Sequence, residues 1–272
     1  MALVSVLWGI ALLSIIALSF LSSGTTSYRI AANLTEAAKV DAVAEGAVTR
    51  AVLALLDTRP ARRWRVDNVA YTLELQGQPV KVSLQDELGR IDLNYADQAL
   101  LLRLFQSAGG LDIDSATRLV DRILDWRSEG TFRKGPNAGD YDAIGSPSLI
   151  RHGAFQSVDE LKLIVGVTTN LFRSVEPALT VYSGSQFFDP RVAPREALLA
   201  LSTMDDAKVD AIILSRHDGD GPVPTTAITL AGHAFTVRIE LERSNGALVR
   251  EAVIRLTDDS RNPYWFLSWK AK

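Results

Sequence analysis

The chain has 272 residues, a formal net charge of −3 at pH 7, 47% hydrophobic residues and no cysteine. This length suits one large domain or two small ones, and the slightly acidic balance argues against a general nucleic-acid surface. The absence of cysteine excludes disulfides, cysteine-ligated zinc and thiol catalysis, but it says little about the compartment.

The chain opens with a long uncharged segment, since its first charged side chain is Arg29. Three interpretations compete: a cleaved signal peptide, a permanent membrane anchor, and the assembly tail of a subunit. A signal peptide has a basic flank and an apolar core of about 7–15 residues, whereas the run from Met1 to Leu21 is longer and lacks that flank. About 20 mostly apolar residues span a bilayer as a helix, so an anchor is favoured. Trp8 would lie too deep for an interfacial aromatic, which indicates a helix–helix contact.

The same helix is predicted to continue to about residue 57. No proline occurs from Ser27 to Asp57, and Pro60 marks the end. If Gly24 does not break it, the helix is apolar all round in its first half and amphipathic in its second half. This pattern suits a helix that lies half in a membrane and half on a folded domain. The apolar residues of the second half recur at helical spacing and predict one buried face: Ala37, Val40, Ala44, Ala47, Val48, Ala51, Val52 and Leu55.

A β-hairpin is predicted next. Residues 69–75 and 80–84 alternate in polarity and are rich in β-branched side chains, which is typical of strands. The segment 76–79 between them contains glycine and proline and predicts the turn.

A block of short helices is predicted over residues 89–177. Asn94 is a plausible N-cap of the first helix, the pair Gly109-Gly110 ends it, and Asp112 or Asp114 starts the second. The second helix has apolar residues at the spacing of one buried face: Ala116, Leu119, Val120, Ile123 and Leu124.

Two further helices complete this block. After a loop over 130–153, the residues from Ser157 to Glu160 form a capping box that predicts a helix over 161–165. Another helix is predicted from Gly166 to about Glu176.

The rest of the chain returns to strands, with two helices among them. The predicted elements are a strand at 178–182, helices at 194–201 and 205–216, and strands near 234–242, 247–257 and 264–269. The pair Asn245-Gly246 favours a tight hairpin. The whole pattern predicts an α+β fold that is interrupted by a helical insertion.

Five stretches, in this order along the chain, resemble the K subunit of the type II (general) secretion pathway, a minor pseudopilin. They are Ala2–Trp8, Asp86–Asn94, Ile123–Arg127, Gly153–Leu161 and Leu179–Gly184. The resemblance implies a pilin-like fold, in which a long N-terminal helix packs on an antiparallel sheet and a large all-α domain of helix-hairpin-helix or SAM-like type is inserted between strands. The implied divisions are 1–23 for the membrane and assembly half of the helix, 24–88 for its amphipathic half and the hairpin, 89–177 for the insertion, and 178–272 for the remainder of the pilin-like domain.

The resemblance also implies the function. A minor pseudopilin of this kind is a non-enzymatic, single-pass protein of the bacterial inner membrane with its globular part in the periplasm. It would nucleate and cap the pseudopilus tip and so promote export of folded proteins across the outer membrane. The implied partners are the I and J minor pseudopilins, the major pseudopilin, secreted substrates and the outer-membrane channel.

Three N-terminal residues acquire roles through this resemblance. Met1 would be the processed and methylated N-terminus, and Trp8 would meet a neighbouring helix inside the pseudopilus. Ser5 stands where most pilins have a glutamate that pairs with the neighbour's amine, and a tip subunit has no neighbour above it. An offset in numbering would not restore that glutamate, since the first acidic residue is Glu36.

The family is also associated with calcium in the inserted domain. The corresponding candidate ligands here are Asp125, Glu129, Asp140 and Asp142, and Ca²⁺ takes six to eight oxygen ligands. Ser128 replaces a second family aspartate, and Arg133 and Lys134 in the same loop oppose a cation. A working site and a lost site both stay open.

Two rival functions compete with this interpretation. Residues 91–127 also look like a helix-hairpin-helix unit of a membrane-anchored DNA-binding protein, but the connector at 109–114 is acidic where phosphate contact needs positive charge. Packing within the protein is the favoured use. An enzyme is disfavoured, because His152, His217 and His233 lie in unrelated contexts and no HExxH, G-x-S-x-G or P-loop motif occurs. The segment 218–221 resembles the start of an EF-hand but lacks its terminal glutamate, so it is interpreted as a turn.

Overall fold

The structure is a computed structural model that describes residues 2–59, 62–128, 151–216, 230–243 and 246–271, with the backbone alone at 2, 16–26 and 243. Its helices are α1 (Ala2–Leu55), α2 (Gln98–Ser107), α3 (Ile113–Arg127), α4 (Thr169–Val175), α5 (Arg195–Leu199) and α6 (Asp206–Ser215). Its strands are β1 (Asp67–Leu75), β2 (Gln78–Asp86), β3 (Ile91–Asp92), β4 (Leu179–Thr180), β5 (Ala234–Arg243), β6 (Gly246–Leu256) and β7 (Tyr264–Ala271). Short 3-10 helices occupy Glu87–Gly89, Val158–Leu163 and Glu176–Ala178.

The predicted single long helix is confirmed. α1 runs unbroken over 54 residues, which is about 80 Å at 1.5 Å per residue. Its buried stripe starts at Val40 rather than at Ala37, which is exposed because the helix has not yet reached the sheet at that point. Val43 joins the stripe. Among the residues whose side chains are described, no helix has the combined length and hydropathy of a membrane crossing.

The sheet has five antiparallel strands in the order β1-β2-β5-β6-β7. The predicted hairpin is confirmed with a tighter turn, since Gln76 and Gly77 alone turn the chain, both at positive φ, and Gln78 already pairs with Leu75. β2 pairs directly with β5 although the whole helical region lies between them in sequence. The predicted α+β fold with a long helix on an antiparallel sheet is thereby confirmed.

Two hydrophobic cores lie in the described residues. One is formed by α1 and the inner face of the sheet, with Val82, Val237 and Ile254 fully buried. The other is formed by α2 to α6 around Leu104 and Ile123. The last two helices, which the sequence pattern places among the strands, pack on this second core, which we call the helical unit: α2 to α6 with the parallel pair β3–β4.

Two predicted helix starts in the helical unit are wrong. Asp97 caps α2 by accepting the Leu100 N–H at 2.7 Å, whereas Asn94 is used in a long-range contact. Ser157 makes no capping hydrogen bond, and its segment forms a 3-10 helix instead of an α-helix. Of the two alternatives for α3, Asp112 is the cap. The predicted turns at 218–221 and Asn245 lie outside the described residues.

Candidate assembly site

The helical unit is joined to the sheet through one buried carboxylate. Glu87 follows β2 directly and is 1% exposed. Its two oxygens accept hydrogen bonds from the hydroxyls of Thr180 on β4 and Thr236 on β5, and Arg90 forms a salt bridge to it at 3.1 Å. Because a buried charge is stable only with partners, this cluster fixes the unit to the sheet.

The neighbouring Asp86 is buried with less compensation. Its carboxylate accepts the Leu88 N–H at 2.9 Å. Burial raises the pKa of Asp86 to about 7, and the charges of Glu87 and Asp189 act in the same direction. The carboxyl is therefore close to half-protonated at neutral pH.

The chain also approaches itself closely at this junction. A Cβ added to Gly89 would lie 2.5 Å from the carbonyl oxygen of Val192. Gln85 binds the same carbonyl with its amide nitrogen at 2.8 Å. The glycine is required here because the two backbones leave no room for a side chain.

The family-like stretches of the helical unit meet beside this junction. Asp92 accepts the Ser183 hydroxyl at 3.1 Å and the Gly184 N–H at 2.9 Å. Asn94 exchanges two hydrogen bonds with the backbone of Phe155, at 2.7 and 3.0 Å. These contacts join three separate stretches of the chain, so the motifs serve the architecture of the unit.

The end of α3 completes the same arrangement. Arg127 donates to the carbonyls of Leu93 and Ala96 at 2.6 and 2.7 Å, and burial lowers its pKa. Trp126 is buried and stacks on Phe155 with ring centroids 5.9 Å apart. Four of the five stretches are therefore in one contact network, and the N-terminal one lies elsewhere.

The helical unit also contacts the outer face of the sheet. Arg255 donates to the Tyr182 carbonyl at 3.1 Å, and Lys270 pairs with Asp159 at 2.6 Å. The hydrogen bond from Lys162, together with the one from Lys270, lowers the pKa of Asp159 to about 2. A cleft of about 250 Å³ lies between the unit and the sheet.

The predicted calcium ligands are described in part. Asp125 lies at the end of α3 with an 11% exposed side chain, and His152 Nδ1 is 3.9 Å from its Oδ1. Its Oδ2 is buried and accepts no hydrogen bond among the described residues. Within the described part of the chain no three ligand-type side chains cluster, and one carboxylate does not satisfy Ca²⁺. Glu129, Asp140 and Asp142 lie outside the described residues, so calcium binding stays a prediction.

The hairpin between α2 and α3 uses its amides internally. The N–H groups of Gly109, Gly110 and Leu111 donate to carbonyls of α2 at 3.0 to 3.2 Å. A Cβ at Gly109 would lie 2.8 Å from the Leu171 side chain of α4. These amides are therefore already hydrogen-bonded within the protein, and the geometry of this hairpin does not support the DNA-binding alternative.

The first described side chains of α1, from Leu3 to Ile15, are exposed although most are apolar. Trp8 is 73% exposed and Ser5 is exposed as well, while Met1 lies outside the described residues. Further along, Asp41 pairs with Arg250 at 2.8 Å and Thr49 contacts the Tyr264 hydroxyl at 3.5 Å.

The helical unit starts at the sheet end remote from the exposed half of α1. Asp86, where β2 ends, pairs with Phe235, and Phe235 pairs with Ile254 near the Tyr264 end of the sheet. Since Thr49 contacts Tyr264 and Asp41 contacts Arg250 at the opposite end, α1 approaches from the Arg250 end of the sheet. The helical unit leaves from the other end and lies along the outer face, where Asp159 reaches Lys270.

Comparisons with known proteins agree with this architecture. Residues 82–184 match the family model of type II secretion system protein K. The chain is also similar to a chain in the crystal structure of the GspK-GspI-GspJ complex from the enterotoxigenic Escherichia coli type 2 secretion system. The identity is 14%, the match covers 88% of this chain and 98% of that chain, and the TM-score of 0.59 shows a shared fold. None of the curated proteins searched matches the chain.

Proposed function

Since residues 82–184 belong to the type II secretion system protein K family, we propose that the whole chain is a minor pseudopilin that nucleates and caps the pseudopilus tip. Its partners would be the I and J minor pseudopilins, the two other proteins named in the similar complex. The role is mechanical, namely to start the assembly and present the helical unit to secreted proteins or to the outer-membrane channel.

One observation carries the tip assignment. The helical unit begins at the sheet end remote from the exposed N-terminal half of α1, and it is clamped there through Glu87 and Arg255. A subunit that uses its exposed helix for assembly would hold this unit above the filament. The unit adds five helices, α2 to α6, and this bulk would obstruct the addition of another subunit on top.

The N-terminal half of α1 would anchor the chain in the inner membrane before assembly. The sequence supports this, since no charged residue precedes Arg29, and about 20 apolar residues suffice for a crossing. The folded part would then lie in the periplasm. Processing and methylation at Met1 belong to the same proposal.

The tip position can be tested in cells that overproduce the major pseudopilin and form long pseudopili. The full chain with a small epitope tag replaces the native K protein, and immunogold electron microscopy locates the tag. We expect gold at one end of each fibre and at no more than one site per fibre. A tag on the major pseudopilin, as control, should label the entire length. Label along the fibre from the tagged chain would refute the tip assignment.

A further inference from the structure

The inner face of the sheet extends beyond the helix that covers it. On β6, Ala252 and Ile254 are fully buried in the core under α1. Their partners on β7 are Trp269 and Phe266, which lie on the same face but are 36% and 46% exposed. In the described residues β7 is an edge strand of the sheet, so an aromatic row runs beside the helix.

A β-bulge creates this row. Val253 pairs with Ser268 while Ile254 pairs with Phe266, so Leu267 is the additional residue. Strict alternation would place Phe266, Ser268 and Lys270 on one face, whereas the bulge brings Phe266 and Trp269 together instead. Their rings meet edge to face at 5.4 Å.

We name the resulting surface the β7 shelf. It is an aromatic row on the inner face. Leu248 on β6, which pairs with the buried Leu241 and is 38% exposed, lies on the same face beyond Arg250, whose charge pairs with Asp41. Tyr264 ends the row, 5.3 Å from Phe266 and again edge to face. The shelf consists of Leu248, Tyr264, Phe266 and Trp269. Edge strands are usually short or carry charged side chains, which protects them from pairing with other chains. An exposed aromatic row is instead typical of an interaction site.

The dimensions of the shelf fit a helix. Strands are about 4.8 Å apart, so β7 lies two spacings, roughly 10 Å, from β5. Packed helices have axes 8–10 Å apart, and α1 packs over β2 and β5. A second helix on the shelf would therefore touch α1 and the aromatic row together. A strand added to the edge of β7 would leave the inner-face rings uncovered.

The flank of α1 beside the shelf continues toward the uncharged N-terminal half of the helix. Leu34, Ala38, Asp41, Glu45 and Thr49 follow one another at three- and four-residue spacing and so share one side of the helix. Asp41 and Thr49 contact β6 and β7 directly, which locates this flank next to the shelf. Leu34 is 66% exposed. A partner helix that runs alongside the N-terminal half of α1 and continues in the same direction would therefore reach the shelf.

We propose that the β7 shelf and this flank of α1 bind the N-terminal helix of a second minor pseudopilin, laid alongside α1. The proposal rests on the proposed function, which supplies partners built on such a helix. Glu45 on the flank is exposed and favours a basic side chain on the bound helix at the level of the shelf, whereas Asp41 already pairs with Arg250.

Photocrosslinking in the full-length complex tests the position of the helix. The full chain carries p-benzoylphenylalanine in place of Trp269 and is produced with full-length I and J pseudopilins in membranes. Trp265 is the matched control, because it is 62% exposed on the same strand but pairs with Arg255, which points to the outer face. We expect position 269 to crosslink to the N-terminal helix of one partner and position 265 not to do so. Crosslinks from 269 to a partner's strand or to a second copy of this chain, or no crosslink in an intact complex, would overturn the proposal.

Affinity provides the second measurement. The double variant Phe266→Ser/Trp269→Ser should lose about tenfold or more in affinity for the partners, as expected for buried aromatic anchors, while Trp265→Ser keeps it. Thermal melting of each variant shows whether a loss of affinity comes from unfolding. If it does, the crosslinking result decides whether the shelf binds the partner helix. If the unsubstituted chain forms the complex and the double variant binds equally well, the shelf proposal is wrong and the proposed function stands. If the unsubstituted chain forms no complex, both are wrong.

Discussion

The replacement Asp86→Asn should change the pH dependence of stability. The folded protein holds a proton on Asp86 up to about pH 7, because burial raises its pKa from the ordinary 3.8 to about 7. The unfolded chain releases that proton near pH 4. The native state therefore binds more protons between these values, and stability falls as pH rises through this window. By about pH 8 the loss is complete.

The pKa difference sets the size of the effect. One pKa unit corresponds to about 1.4 kcal/mol, so the wild-type chain loses at most about 4 kcal/mol between pH 4 and pH 8 from this group. Asparagine keeps the oxygen that accepts the Leu88 N–H and removes the charge. We expect the variant to gain stability relative to wild type as pH rises, by up to that amount.

Denaturant unfolding of the detergent-solubilised full chain, followed by tryptophan fluorescence at pH 4, 5.5 and 8, measures this difference. Asp259→Asn is the control, because Asp259 is exposed and the Arg261 N–H lowers its pKa. Removing this carboxylate should leave the fall of stability with rising pH unchanged. An Asp86→Asn protein with the pH profile of wild type would refute the reasoning.

Three further outcomes are expected. Gly89→Ala should cost about 1–3 kcal/mol of stability by overpacking against the Val192 carbonyl. The control Gly46→Ala in α1, where a Cβ meets nothing within 4 Å, should be neutral or stabilising. Equal melting temperatures of the two variants would contradict this prediction. Leu12→Arg should make membrane insertion less favourable by about 2.5–3.5 kcal/mol and abolish secretion in a complementation assay. A variant that still fractionates with the membrane and secretes normally would refute this prediction. Calcium should raise the melting temperature of the unsubstituted chain but not of Asp125→Asn, and no shift in either protein would contradict the calcium prediction.

Most regular elements could be predicted because their patterns are local. The stripe from Val40 to Leu55 and the alternation in β1 and β2 each record one buried face. Helix starts were harder where two polar residues compete. Asn94 and Asp97 both suit a cap, and the choice depends on the distant Phe155 backbone, which occupies Asn94.

The assembly site depends on tertiary contacts that sequence patterns do not encode. Glu87 stands in a recognised stretch, but its bonds to Thr180 and Thr236 connect residues far apart in the chain. The bulge at Leu267 has no local signal, so alternation alone places Trp269 on the wrong face. The four aromatic residues of β7 are the available hint, since four in an edge strand exceed what one buried face needs.

The direct pairing of β2 with β5 has a consequence for the order of folding. Asp86 and Phe235 are register partners, so the sheet can form only when a long loop closes between them. If the helical unit folds first, its ends are held together and the effective loop shrinks from about 150 to about 25 residues, which is between two and three halvings. At about 0.6 kcal/mol each, this removes roughly 1.5 kcal/mol of closure entropy. The helical unit would then act as the nucleus on which the central strands find each other, and damage to its core should slow formation of a sheet to which it does not belong.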